Sequence, residues 1–153
     1  MPTKATSKSV FKNEFFESYM EYWKKYVQFS GRATRMEFWV PVLLNWVIEM
    51  VLVLSIVLLP VAYIFSLATV IPGLAVMWRR AHDIGKPGWL PLVVGVIGFI
   101  LLYGGVFLTM LGGFMLLLGI LLSLAGLAGV VLHVVWMASP GVKGSNTHGG
   151  ARI

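Results

Sequence analysis

Polar and apolar positions divide the chain into a polar, aromatic N-terminal segment and several long apolar runs. Before residue 40, Val10, Phe11, Phe15, Tyr19, Tyr22, Tyr26 and Phe29 recur at three- and four-residue intervals, the repeat of one helix face. Glu14, Glu17 and Glu21 lie toward its start and Lys24 and Lys25 toward its end, which complements a helix dipole. An aromatic face flanked by lysines predicts an amphipathic helix in the membrane interface, with a cytoplasmic helix packed on the bundle as the alternative. Residues 30–39, SGRATRMEFW, then turn the chain toward the bilayer. Thr34 and Glu37 match a capping box, and Phe38 and Trp39 suit an interfacial anchor.

A helix needs about 20 mostly apolar residues to cross about 30 Å of hydrocarbon. Spans are expected over about 40–59, 61–78, 89–110 and 114–137. Pro41 is a candidate kink in the first, and Pro60 suits the opening turn of the second, where its missing N–H is not needed. Residues 89–142 hold no Asp, Glu, Lys or Arg and are too long for one crossing. The break is expected near Leu111-Gly112-Gly113, with Tyr103-Gly104-Gly105 as the competing position.

Composition agrees, since 58% of the 153 residues are hydrophobic and 12% charged, where soluble domains carry about 25% charged residues. The polar start and the length of the first apolar run argue against a cleaved signal peptide. Absence of cysteine excludes disulfides, thiolate metal sites and cysteine nucleophiles. The net charge of +6 comes without a nucleic-acid recognition motif, so anionic lipid headgroups are the expected partners. Basic residues test the span count, because cytoplasmic loops collect them. Lys4, Lys8, Lys12, Lys24, Lys25, Arg32 and Arg35 precede the first span, Arg79, Arg80 and Lys86 separate the second from the third, and Lys143 and Arg152 follow the fourth. Four spans place them all on one side.

The expectation is therefore an all-α membrane protein of four transmembrane helices in two hairpins, preceded by an amphipathic interfacial helix. Residues 1–29 form that helix, 30–138 the membrane domain and 139–153 a cytoplasmic tail, with both termini in the cytoplasm.

Three motifs occur in order: FSGRATRMEFW (29–39), RRAHDIGKPGW (79–89) and PGVKGSNTHG (140–149). Together they resemble the bacterial membrane family called domain of unknown function 805, over about residues 23–149. The resemblance implies an inner-membrane helical architecture and supplies no reaction. Ala81, Pro87 and Thr147-His148 depart from the family's usual residues. Short members have one span after the central motif, whereas two are expected here.

In the central motif, a juxtamembrane turn accounts for Arg79, Arg80, Gly85, Pro87, Gly88 and Trp89, but not for His82-Asp83. A His-Asp metal hydrolase needs further ligands, and the chain has one aspartate, so neither metal nor cofactor is expected. Alternatively, Arg32, Arg35, Glu37, Arg79, Arg80, His82, Asp83 and Asn146 form one cytoplasmic network whose excess positive charge holds a lipid phosphate.

Within the spans, Asn45 and Glu49 share a face of the first helix, and an intramembrane carboxyl group is costly unless paired or hydrated. Gly119, Ser123, Gly126 and His133 form a stripe on the fourth. Packing of the first helix on the fourth would join these groups, and Asn45–His133 is the easier contact. Glu49 then reads either as a proton or cation relay or as polar glue within the bundle or an oligomer.

The function expected is a non-enzymatic interaction or regulatory module whose basic cytoplasmic face binds anionic lipid or a partner protein. An oligomeric small transporter or channel component using Glu49 is the alternative, and a lipid-modifying enzyme the third reading. Reporter fusions after residues 84, 112 and 153 should read cytoplasmic, external and cytoplasmic; an external C-terminus would overturn the count of four.

Overall fold

A capping box sets the direction of the first spanning helix. In the computed structural model, which describes residues 7–147 and 149, the Thr34 hydroxyl accepts the Glu37 amide at 3.1 Å and the Glu37 carboxylate accepts the Thr34 amide at 2.6 Å. The chain forms α1 (Ser7–Lys24), α2 (Arg35–Leu54), a 3₁₀ turn (Ile56–Leu58), α3 (Leu59–Asp83), α4 (Trp89–Thr109) and α5 (Gly113–Ala138). The last four helices are long and apolar enough to cross a membrane. Among the described residues there is no strand, only an isolated bridge between Asn146 and Gly149. Lys4, His148 and Arg152 lie outside the described residues, as do the side chains of Lys8, Val10, Phe11 and Lys12.

The helix ends differ instructively from hydropathy. α2 begins at Arg35, where the cap places it, and ends at Leu54 because Ser55 turns extended. Pro60 falls in the first turn of α3, as expected. α3 then continues past Trp78 through Arg79-Arg80-Ala81-His82-Asp83, all buried and helical, so the loop is only residues 84–88. Apolar transfer energy ends at Trp78, but the charged residues beyond it find partners inside the protein and continue the helix. Leu111-Gly112-Gly113 is the second break, with Gly112 and Gly113 at φ 68° and 56°, the left-handed region that glycine tolerates. Gly104 and Gly105 stay helical within α4.

α4 and α5 pack along a glycine seam. A Cβ at Gly98 would lie 2.9 Å from the Val130 amide nitrogen, and one at Gly119 would lie 2.6 Å from the Gly105 carbonyl oxygen. The backbones therefore touch, which maximises dispersion where hydrocarbon provides no hydrophobic drive between helices. The small-residue stripe on α5 was expected to receive α2; it receives α4 instead, because Gly98 and Gly105 offer the matching concave surface.

α1 packs on α2 and α3 through its tyrosines. Pro72 has no N–H for the Ala68 carbonyl one turn earlier. The Tyr26 hydroxyl donates to the Ala68 carbonyl at 3.2 Å and the Tyr22 hydroxyl to that of Thr69 at 3.0 Å. Through Tyr26, α1 thus supplies a donor where α3 lacks one, which is how prolines are accommodated in spanning helices. Burial pushes the Tyr22 hydroxyl up to about 12. Its neighbour Glu21, on the exposed side, is held below its ordinary carboxylate value by the hydrogen bond from Lys25 at 2.6 Å.

The core sits at one end, where the start of α2 and the ends of α3 and α5 converge. Tyr22, Ala33, Phe38, Val76 and Met137 form it, flanked by Trp23, Trp39, Met77, Ile84 and Trp136. Toward the other end the helices present apolar side chains outward, with Ile56 80% and Val57 86% exposed. Bilayer hydrocarbon is the solvent suited to that surface.

Gly126 and Gly104 provide a matched test of the seam. Gly126→Val places a branched side chain against the Gly98–Leu102 backbone and should destabilise by about 1–3 kcal/mol. Gly104→Ala meets nothing within 4 Å, and should be neutral or stabilise by about 0.5–1 kcal/mol in thermal unfolding of the micellar protein.

Candidate functional site at the converging helix ends

Asp83 closes the last turn of α3 with 4% of its surface exposed. Its Oδ1 accepts from Arg32 Nε at 2.9 Å, and its Oδ2 from an Arg80 terminal nitrogen at 2.5 Å. Arg32 comes from the turn ahead of α2, so one carboxylate ties that turn to α3. The remaining arginine donors go to main-chain carbonyls. Arg32 reaches Val142 at 2.5 Å and Gly144 at 2.7 Å, while Arg80 reaches Met137 at 3.0 Å, Ala33 at 3.3 Å and also Ser139. Each guanidinium thus holds the C-terminal tail. The tail answers with its own bond, Val142 N–H to the Asp83 carbonyl at 2.8 Å.

His82 and Asn146 extend the assembly. The Gly31 carbonyl can only accept, so His82 Nδ1 carries the proton it donates at 3.2 Å. Asn146 Nδ2 donates to the His82 carbonyl at 2.8 Å. Ala33 N–H donates to the Arg79 carbonyl at 3.0 Å, which fastens the same turn once more. Glycine is required at 141, because a Cβ there would run into the Asp83 carboxylate. Lys86 lies over the Trp136 ring, 4.3 Å from its centroid, joining the α3–α4 turn to α5.

Fragments of all three sequence motifs therefore meet: Gly31-Arg32 from the first, Arg79 to Asp83 from the second, and Gly141 to Asn146 from the third. The family model described as "Protein of unknown function (DUF805)" matches residues 26–150. The chain belongs to this family. Among its relatives, inner membrane protein YhaI of Escherichia coli (strain K12) is 37% identical over 91 residues, 55% of this chain and 77% of that protein. Inner membrane protein YhaH of the same strain is 30% identical over 95 residues, 55% of this chain and 78% of that protein. No solved structure matches the chain. Family and helices together make this a multi-pass membrane protein.

Several residues expected in the DUF805 network take different places. Arg79 and Arg80 were expected at a helix end near lipid phosphate; they are 2% and 0% exposed and point into the protein. Arg35 is exposed on the first turn of α2. Glu37 bonds to the Thr34 amide as a cap. A cavity of about 260 Å³ remains between the start of α2 and the tail, lined by Arg32, Thr34, Arg35, Arg80, Asp83, Gly141, Val142 and Lys143. Among the described residues no group of three or more His, Cys, Asp or Glu could hold a metal ion.

The expected Asn45–His133 contact does not form. Asn45 Oδ1 accepts from the Tyr19 hydroxyl at 3.1 Å, and His133 Nδ1 donates to the Pro91 carbonyl at 2.8 Å. The Ser66 hydroxyl of α3 donates to Glu49. Because α2 starts at Arg35, Glu49 lies about 21 Å along the helix from that end, deeper than hydropathy placed it. Helices adjacent in sequence supply these partners, since α2 pairs with α3 and α4 with α5. Ser66, Tyr19 and the Pro91 carbonyl carry no sequence signal for the role. The tail carbonyls that complete Arg32 and Arg80 carry none either, although the glycine-rich third motif marks where a backbone approaches closely.

Asp83→Asn removes the carboxylate and leaves two buried guanidiniums facing each other. Loss of one member of a buried pair costs about 3–5 kcal/mol, so the thermal midpoint should fall steeply and the tail should become protease-sensitive. Exposed Glu17→Gln should change stability by less than about 0.5 kcal/mol.

Proposed function

We propose that this chain is a non-enzymatic interaction module of the bacterial inner membrane, with both termini cytoplasmic, that holds the phosphate of an anionic lipid at its polar cap. The cavity beside Asp83 carries the reading. Four cations line it (Arg32, Arg35, Arg80, Lys143) against one carboxylate, Asp83, so the lining has a formal charge of 4 − 1 = +3. Asp83 occupies one edge of Arg32 and of Arg80, whereas Arg35 and Lys143 lie exposed at the rim. A phosphate bridging Arg35 and Lys143 would gain charge-assisted bonds without breaking the buried pairs.

Position supports the same reading. α2 has 20 residues, about 30 Å of helix, so Arg35 and the distal turn fall at opposite hydrocarbon boundaries. Basic residues at that boundary gather on the cytoplasmic side, where anionic headgroups lie. Relatives named as inner membrane proteins support the same membrane. A transport reading would need Glu49 to line a path, and Glu49 lies instead beside Trp46, Met50 and Val53 on α2.

Lipid retention tests this. The purified protein, washed in neutral detergent and mixed with equal anionic and zwitterionic phospholipid, should retain the anionic one in native mass spectrometry. Arg35→Ala with Lys143→Ala should weaken retention by about 2 kcal/mol, roughly thirtyfold, at about 1 kcal/mol per cation. Equal retention of both lipids, or an unaffected double variant, would sink the proposal.

A further inference from the structure

The distal half of α2 carries two polar groups on an otherwise apolar surface. Glu49 lies five residues before the end of α2, about 7.5 Å along the axis, and so within the hydrocarbon. Its carboxyl group has two oxygens, and Ser66 serves one of them, Oε1. Among the described residues this is the one hydrogen bond the carboxyl group receives. Beside it, Trp46, Met50 and Val53 complete a depression of about 280 Å³. Trp46 is 64% exposed, and among the described residues its indole N–H has no acceptor.

Hydrocarbon offers neither group a partner, and each polar group left unmet there costs several kcal/mol. One is an acceptor and the other a donor. They sit three residues apart on the same face, about 4.5 Å along the axis. That arrangement is self-complementary. A second copy inserted the same way and related by a two-fold axis along the membrane normal presents the same groups at the same depth. Trp46 of each copy then reaches Glu49 of the other, within the span of an indole ring.

We propose that this face of α2 is a homodimer interface, closed by reciprocal hydrogen bonds from the Trp46 indole of one copy to the Glu49 carboxyl of the other. The indole ring occupies the depression, and Met50 and Val53 pack around it. The interface lies at the opposite end of α2 from the polar cap and does not depend on lipid binding there.

The absence of cysteine makes the test direct, because one introduced cysteine is the sole cross-linking site. Purified Met50→Cys protein in liposomes at high lipid-to-protein ratio should form a disulfide-linked pair of two chains on oxidation. Leu121→Cys on α5, where Leu121 at 65% is more exposed than Met50 at 50%, should not. Trp46→Phe keeps the ring and removes the N–H, and should weaken pairing of Met50→Cys about tenfold or more, since two interhelical bonds are lost. Glu49→Gln keeps an acceptor oxygen and should preserve pairing. Unchanged melting midpoints establish that every variant is folded. No linkage through Met50→Cys, equal linkage through Leu121→Cys, or full pairing with Trp46→Phe would each overturn the interface.

Discussion

Everything at the closed end of this molecule depends on one carboxylate held between two guanidiniums. Asp83 is the chain's single aspartate, and it meets Arg32 and Arg80 with almost no solvent access to any of the three. Desolvating such ions costs several kcal/mol each, so the triad is a weak source of net stability compared with apolar packing. Its effect is geometric. The donors that Asp83 leaves over go to carbonyls in the turn before α2, at the end of α5 and in the tail. Three distant segments are thereby brought to one register.

Away from this cap the protein relies on different physics. α4 and α5 adhere through backbone contact at glycines, and α1 caps the carbonyl released by Pro72. Neither device needs water to be expelled, which suits helices whose outer surfaces already face a medium as apolar as their side chains. The small core of buried residues lies beside the triad. Lipid replaces a core elsewhere.

This division also separates the two proposed kinds of recognition. At the cap, the two arginines already bonded to Asp83 fix the cavity walls, and exposed Arg35 and Lys143 supply charge that a phosphate can use. At the far end of α2, Glu49 and Trp46 are polar groups beside a depression in an apolar surface, the feature on which the proposed pairing rests. The proposed headgroup binding rests on excess charge at the polar cap, and the proposed pairing on hydrogen-bonding groups left unmet away from it.

Sequence by itself determined the helix count, the break at Gly112-Gly113, the position of Pro60 in the first turn of α3 and the capping box at Thr34 and Glu37. These are local consequences of transfer energy and backbone conformation, readable from residues near one another in the chain. The gathering of Arg32, Arg80, His82, Asp83 and Asn146 was also legible, through motifs whose polar residues had no place in a lipid-facing helix. Tertiary structure alone decided the partners. Hydropathy ended the second span at Trp78, but buried pairing carried α3 to Asp83. The α5 stripe met Gly98 and Gly105 rather than α2, and Asn45 met Tyr19 rather than His133. The physical reason is that a hydrogen bond depends on the position and direction of both groups. The acceptors here are mostly main-chain carbonyls, which every residue has and no residue type announces.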